Sequence, residues 1–165
     1  MSCLFSGSVE VTADDKNRFR FPVKYKEVYA AQDDAASEVY VLKTLNAKYL
    51  TIFSKEVGEK FVRDLNSMST LRTSAQAATA ELYLQNLELC KVDSQGRFIV
   101  PQKHAGQINL GKEAVICGVG AKLRIWNKAD YEANEIAQAK LLEEMMLSQE
   151  PSERTALDDL VFGVD

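Results

Sequence analysis

One short pattern occurs twice in this chain, and it constrains the fold more than any other feature. Residues 14–22 read D-D-K-N-R-F-R-F-P and residues 93–101 read D-S-Q-G-R-F-I-V-P. Asp, Arg, Phe and Pro coincide at a single offset of 79 (Asp14 with Asp93, Arg18 with Arg97, Phe19 with Phe98, Pro22 with Pro101). Downstream, L-T-I-F-S-K at 50–55 matches L-R-I-W-N-K at 123–128. Two matched blocks in the same order mark an internal duplication, so the chain is two copies of one small unit.

Each copy reads as β-rich. Val9 and Val11 alternate with polar residues, as do Leu87 and Leu89, which predicts half-buried strands. The segments 14–17 and 93–96 are polar turns. Gly96 supplies a positive φ without steric cost, and Asn17 is among the few residues that tolerate one. Strands are expected at 18–21 and 98–100, each ended by a proline that cannot extend a ladder. Further strand pairs are expected at 39–42 with 49–53 and at 114–117 with 122–126. Gly118 and Gly120 fit a hairpin there, because no third glycine completes a dinucleotide fingerprint. Helices are expected over 55–68, with Val57, Phe61, Leu65 and Met68 on one face, over 69–84 with Ser69 or Thr70 as cap, and over 128–147 with Tyr131, Ile136, Leu141, Leu142 and Met145 as its apolar set.

Charge is unevenly placed. Residues 130–165 hold ten acids and two bases, a net of −8, while residues 1–129 carry +4. An acidic tail on a mildly basic body leaves room for a phosphate-binding face. Five bases, Lys16, Arg18, Arg20, Lys24 and Lys26, lie within eleven residues. On a strand Arg18 and Arg20 share one face and Phe19 and Phe21 the other, so the guanidinium groups can follow phosphates or read guanine. The same residues equally fit a solvated face on which Arg18 pairs with Asp14 or Asp15. Arg97 has apolar neighbours, Ile99 and Val100, and reads as scaffold or subunit contact. Asp14 and Asp93 read as turn stabilisers rather than a catalytic pair.

No nucleophile-base set, metal cluster or phosphate loop is legible, so the reading is of a non-enzyme without metal or cofactor. The single histidine, His104, lacks identifiable partners. Cys3, Cys90 and Cys117 are odd in number and widely spaced, as expected of reduced thiols packed as small apolar groups. The sequence shows neither a signal peptide nor an apolar run long enough to span a bilayer, which predicts a cytoplasmic protein.

The two D-x-x-x-R motifs, the opening Phe5-Ser6-Gly7 and the block C-G-V-G-A-K-L-R-I-W-N-K at 117–128 resemble the MraZ family. Asn17 stands where that pattern has glycine, Ser6 where it has arginine and Asn86 where it has a small residue. The resemblance implies an α+β, mainly β, fold. Two AbrB-like halves would form a pseudo-symmetric swapped-hairpin β-barrel with flanking helices. The corresponding divisions are 8–55 (first half), 56–86 (connecting helices), 87–130 (second half), 131–148 (C-terminal helix) and 149–165 (acidic tail). It also implies a ring-shaped homo-oligomer at the nucleoid, binding double-stranded DNA at repeated promoter boxes before the division and cell-wall gene cluster, with no membrane or small-molecule partner. DNA contact then falls to Lys16, Arg18, Arg20, Lys24 and Lys26, while Asp14, Pro22, Asp93, Gly96, Arg97 and Pro101 build the motif. Two rival readings are an antitoxin-like regulator that blocks a toxin partner and an adaptor oligomer that binds no DNA. Uncovered strand edges and the Val57, Phe61 and Leu65 face are the physical reason to expect self-association. The tail, including Leu160-Val161-Phe162, is expected to be dispensable for folding.

Overall fold

The structure, a computed structural model, describes residues 4–32, 37–71 and 73–148. The expectations for residues 149–165 lie outside this range. The chain divides into two compact units, Met1–Lys128 and Ala129–Asp165.

In the first unit the two copies repeat one order of elements. The first copy runs β1 (Phe5–Thr12), β2 (Phe19–Arg20), α1 (Val23–Gln32), β3 (Glu38–Leu42), β4 (Tyr49–Ser54) and α2 (Lys55–Leu71). After α3 (Ser74–Asn86) come β5 (Glu88–Lys91), β6 (Arg97–Phe98), α4 (Gln102–Gln107), β7 (Glu113–Gly120), β8 (Leu123–Asn127) and α5 (Lys128–Ser148). Six strands form one antiparallel sheet in the order β1-β7-β8-β4-β3-β5, and β2 pairs with β6 in a separate ribbon.

The copies are interleaved. The first strand of each pairs with the third strand of the other, β1 with β7 and β5 with β3. Where equivalent strands meet, equivalent residues face each other: Phe19 opposes Phe98 in the ribbon, and Thr51 opposes Arg124 between β4 and β8. A pseudo-two-fold axis therefore passes through both points. Residues with period-2 spacing turn inward around it, and Phe19, Phe98, Val39, Val41, Leu50, Ile52, Ile116 and Ile125 are each at most 3% exposed.

Several expectations need correction. No ladder joins the edge strands β1 and β5 among the described residues, so the closed barrel is not found. The strands expected at 18–21 and 98–100 shrink to two residues each. The prolines both stop the ribbon and start a helix. Pro101 is the N-cap of α4, and the Pro22 carbonyl accepts from the Tyr25 amide at 2.9 Å, because proline's fixed φ and missing N–H suit a first turn. Helices α1 and α4 thus fill segments that the sequence reading left open, and α1 buries Tyr25, Val28 and Tyr29 on one face. Helix α2 runs past Ser69 and Thr70, so neither caps α3; Thr73 does, its Oγ1 accepting from the Gln76 amide at 3.4 Å.

The face of Val57, Phe61 and Leu65 is partly covered within the chain, with Leu65 buried and Val57 and Phe61 half-buried. Phe61 stacks on Phe53 at 5.0 Å and Leu65 is 5% exposed. Gly58 permits this closeness, since a Cβ there would lie 2.2 Å from the Tyr40 ring.

In the second unit α5 has no buried residue. Ile136 and Leu147, 73% and 81% exposed, fall on the side of the helix opposite Leu141 and Met145 at 100° per residue. Of the expected apolar set only Ile136 leaves the face, since Tyr131, Leu141, Leu142 and Met145 fall within about 100° of one another.

Candidate nucleic-acid interface

Both motif turns are tied by the same bonds. Asp14 Oδ1 accepts from the amides of Lys16 (3.0 Å) and Arg18 (2.9 Å), and its Oδ2 accepts from Arg18 Nε at 2.7 Å. Asp93 Oδ1 accepts from the amides of Gln95 and Arg97, both at 2.9 Å, and its Oδ2 accepts from Arg97 Nε at 2.7 Å. The fourth residue of each turn is left-handed, Asn17 at φ 58° and Gly96 at φ 75°, so Asn17 does the work of the glycine it replaces. The amides of Arg18 and Arg97, more than any other group, hold the Asp14 and Asp93 carboxyls below the usual carboxylate range, with the guanidinium groups assisting. The pairing of Arg18 with Asp14 that the sequence left open is therefore present. It uses Nε only, and the terminal guanidinium nitrogens of Arg18 and Arg97 bond to nothing among the described residues.

The ribbon then fixes the arginines relative to one another. Phe19 and Phe21 are buried and Arg20 is exposed, as alternation requires. Register sets Arg20 directly opposite Arg97. Arg20 donates to Gln95 Oε1 at 3.2 Å, and Lys26 Nζ donates to the Gln95 carbonyl at 3.3 Å. Arg20, Lys26, Gln95 and Arg97 thus form one cluster drawn from both copies. Lys24 and Lys26 are on helix α1 rather than on a strand. Lys24 goes elsewhere, its Nζ 5.0 Å over the Tyr25 ring and close to Gly7. Lys16 is exposed on the first turn. Sequence reading missed Gln95; the offset of 79, which equates it with Lys16, is the signal that could have found it.

The remaining reactive groups are held in the fold. His104 is 1% exposed, and its Nε2 lies 2.6 Å from the Asn86 carbonyl, an arrangement that puts the ring proton on that nitrogen. Burial pushes the Cys90 thiol up to about 11, with Glu88 adding to the effect, and burial likewise raises that of Cys117. Cys3 lies outside the described residues. Among the described residues no group of three or more His, Cys, Asp and Glu side chains could hold a metal ion, and no helix is long and apolar enough to cross a membrane.

The family model described as "MraZ protein, putative antitoxin-like" matches residues 84–158. A protein named "Transcriptional regulator MraZ" from Mycoplasmopsis pulmonis is 28% identical over 127 residues, covering 77% of this chain and 81% of its own length. Proteins of the same name from Neisseria gonorrhoeae and Finegoldia magna are each 27% identical, over 137 and 119 residues; they cover 82% and 72% of this chain and 87% and 78% of their own lengths. The chain is thus similar to MraZ proteins over most of its length.

Proposed function

We propose that this protein is a sequence-specific DNA-binding transcriptional regulator of the division and cell-wall gene cluster, acting at the nucleoid as a ring-shaped homo-oligomer on repeated promoter boxes. In this reading the divisions at 8–55 and 87–130 are two AbrB-like halves of swapped-hairpin type. The names of the relatives support the regulatory role. One observation carries the DNA contact, namely that Arg20 and Arg97 oppose each other one residue from the pseudo-two-fold axis, with Arg18 and Lys26 near them. Like charges directly opposite in a ladder repel. Asp93 and Gln95 relieve this only in part, and a phosphate or a guanine edge between the guanidinium groups relieves it further. Lys16, Arg18, Arg20, Lys24 and Lys26 are the proposed contacts, and the register adds Arg97, which the sequence had set apart as scaffold.

Fluorescence anisotropy with duplex DNA from the region upstream of this protein's own gene tests the reading. Arg20→Ala and Arg97→Ala should each weaken binding by about 5- to 150-fold, the equivalent of roughly 1–3 kcal/mol per lost bidentate contact. Affinity should also fall steeply with salt. Folded, oligomeric variants that bind like the wild type would refute the assignment.

A further inference from the structure

The offset of 79 predicts two equivalent crevices, each made by the turn of one copy against the strand end and following helix of the other. They are not alike. On one side Arg20 bonds Gln95, and Lys26 lies across Gly96, with its Cε 2.5 Å from where a Gly96 Cβ would stand. The Phe21 amide zips this end of the ribbon to the Gly96 carbonyl at 2.9 Å. On the other side Ile99 replaces Arg20 and Ala105 replaces Lys26, facing Lys16 and Asn17. No equivalent bond from the Val100 amide to the Asn17 carbonyl closes that end among the described residues. What remains is a groove of about 540 Å³.

Its lining is mixed: Phe19, Val100, Pro101, Ala105 and Leu110 supply apolar surface, Asn17 and Gln102 supply polar surface, and Lys16 and Lys112 stand exposed at its rim. None of its lining residues is acidic. We propose that this groove docks an acidic peptide segment of a partner protein, one that carries a bulky apolar anchor. The anchor occupies the volume that Lys26 fills on the opposite side, and the flanking carboxylates meet Lys16 and Lys112. Charge complementarity selects the acidic segment, and the apolar part of the lining favours an occupant that carries an apolar anchor. The inference does not depend on DNA binding at the arginine cluster, and Lys16, which both readings use, is not varied in its test.

The test uses the full chain and a fluorescein-labelled synthetic peptide, Asp-Asp-Leu-Phe-Asp-Asp flanked by glycines. Anisotropy should show saturable binding, lost when Lys replaces Asp in the peptide. Ala105→Met fills the crevice with an uncharged side chain of lysine's length and should weaken binding by about tenfold or more, a difference of about 1.4 kcal/mol. Should Ala105→Met not fold, Lys112→Glu, at an exposed position, should weaken the acidic peptide by a comparable factor. Equal binding of the peptide by the wild type and either folded variant would overturn the proposal. So would absence of binding, or an Ala105→Met protein that loses DNA affinity and keeps the peptide.

Discussion

Replacing Phe98 by Ala should be among the most costly single changes in the first unit. Phe98 is 1% exposed, stacks on Phe21 with ring centroids 4.4 Å apart, and meets Phe19 at 6.2 Å across the pseudo-axis. Deleting a buried ring costs about 3–5 kcal/mol, because lost transfer energy adds to the cavity left behind. Two ring partners, each worth about 0.5–1.5 kcal/mol beyond area, place Phe98 near the middle or top of that range. Against a domain stability of about 5–15 kcal/mol this is a large fraction. Urea unfolding followed by far-ultraviolet circular dichroism, at matched subunit concentration, measures it. Ile99→Ala is the control. Ile99 adjoins Phe98 but points the other way and is 53% exposed, so its loss should cost less than about 1 kcal/mol. A Phe98→Ala loss no larger than that of Ile99→Ala would refute the claim that the ribbon is anchored by its aromatic face.

Two titration predictions follow from the site's surroundings. With its thiol raised to about 11 by burial, Cys90 stays protonated at pH 8; native protein carrying Cys3→Ser should leave Cys90 unlabelled by a thiol reagent until denaturant is added, and rapid labelling of the native state would contradict the packing described. Asp14 and Asp93 are depressed, so their contribution is complete at neutral pH and is lost only as pH falls from the ordinary carboxylate value of about 3.9 through the lower folded-state values; the amide resonances of Arg18 and Arg97 should hold steady from pH 7 to about 5 and move below about 4, and a midpoint above 5 would rule out the carboxylate as their anchor.

Features fixed by local chemistry were legible in the sequence. The duplicated turn, the Phe19/Phe21 alternation and the hairpins β3–β4 and β7–β8 follow from neighbouring residues. Strand exchange did not, because nothing within β1 distinguishes β7 from β3 as its partner; that choice is made by the whole interleaved core. Helices α1 and α4 escaped because each is short and begins at a proline, which reads equally as a stop. In the site, the Asp14–Arg18 pair could be seen from spacing alone. The cluster of Arg20, Lys26 and Gln95 could not, since its members are as far as 75 residues apart and meet only when one copy's turn lies against the other copy's strand and helix. Lys24, grouped with the others by sequence, is separated from Lys26 because helical residues two apart point about 200° from one another, which sends Lys24 toward Gly7.

Fusing the copies into one chain explains why the two crevices can differ. In a dimer of identical subunits, any substitution that opened one crevice would open both, and the lysine that fills one would be present in the other. In this chain the positions are separate residues, so Arg20 can be basic while its equivalent, Ile99, is apolar, and Lys26 can be long while Ala105 is short. The shared requirement is the core. Phe19 and Phe98 must both be large and apolar because each packs against the other on the axis, whereas outward positions one residue away carry no such constraint. Symmetry is thus retained where packing couples the copies. It is broken at the surface, where one side gathers cations around Gln95 and the other leaves a groove between two lysines.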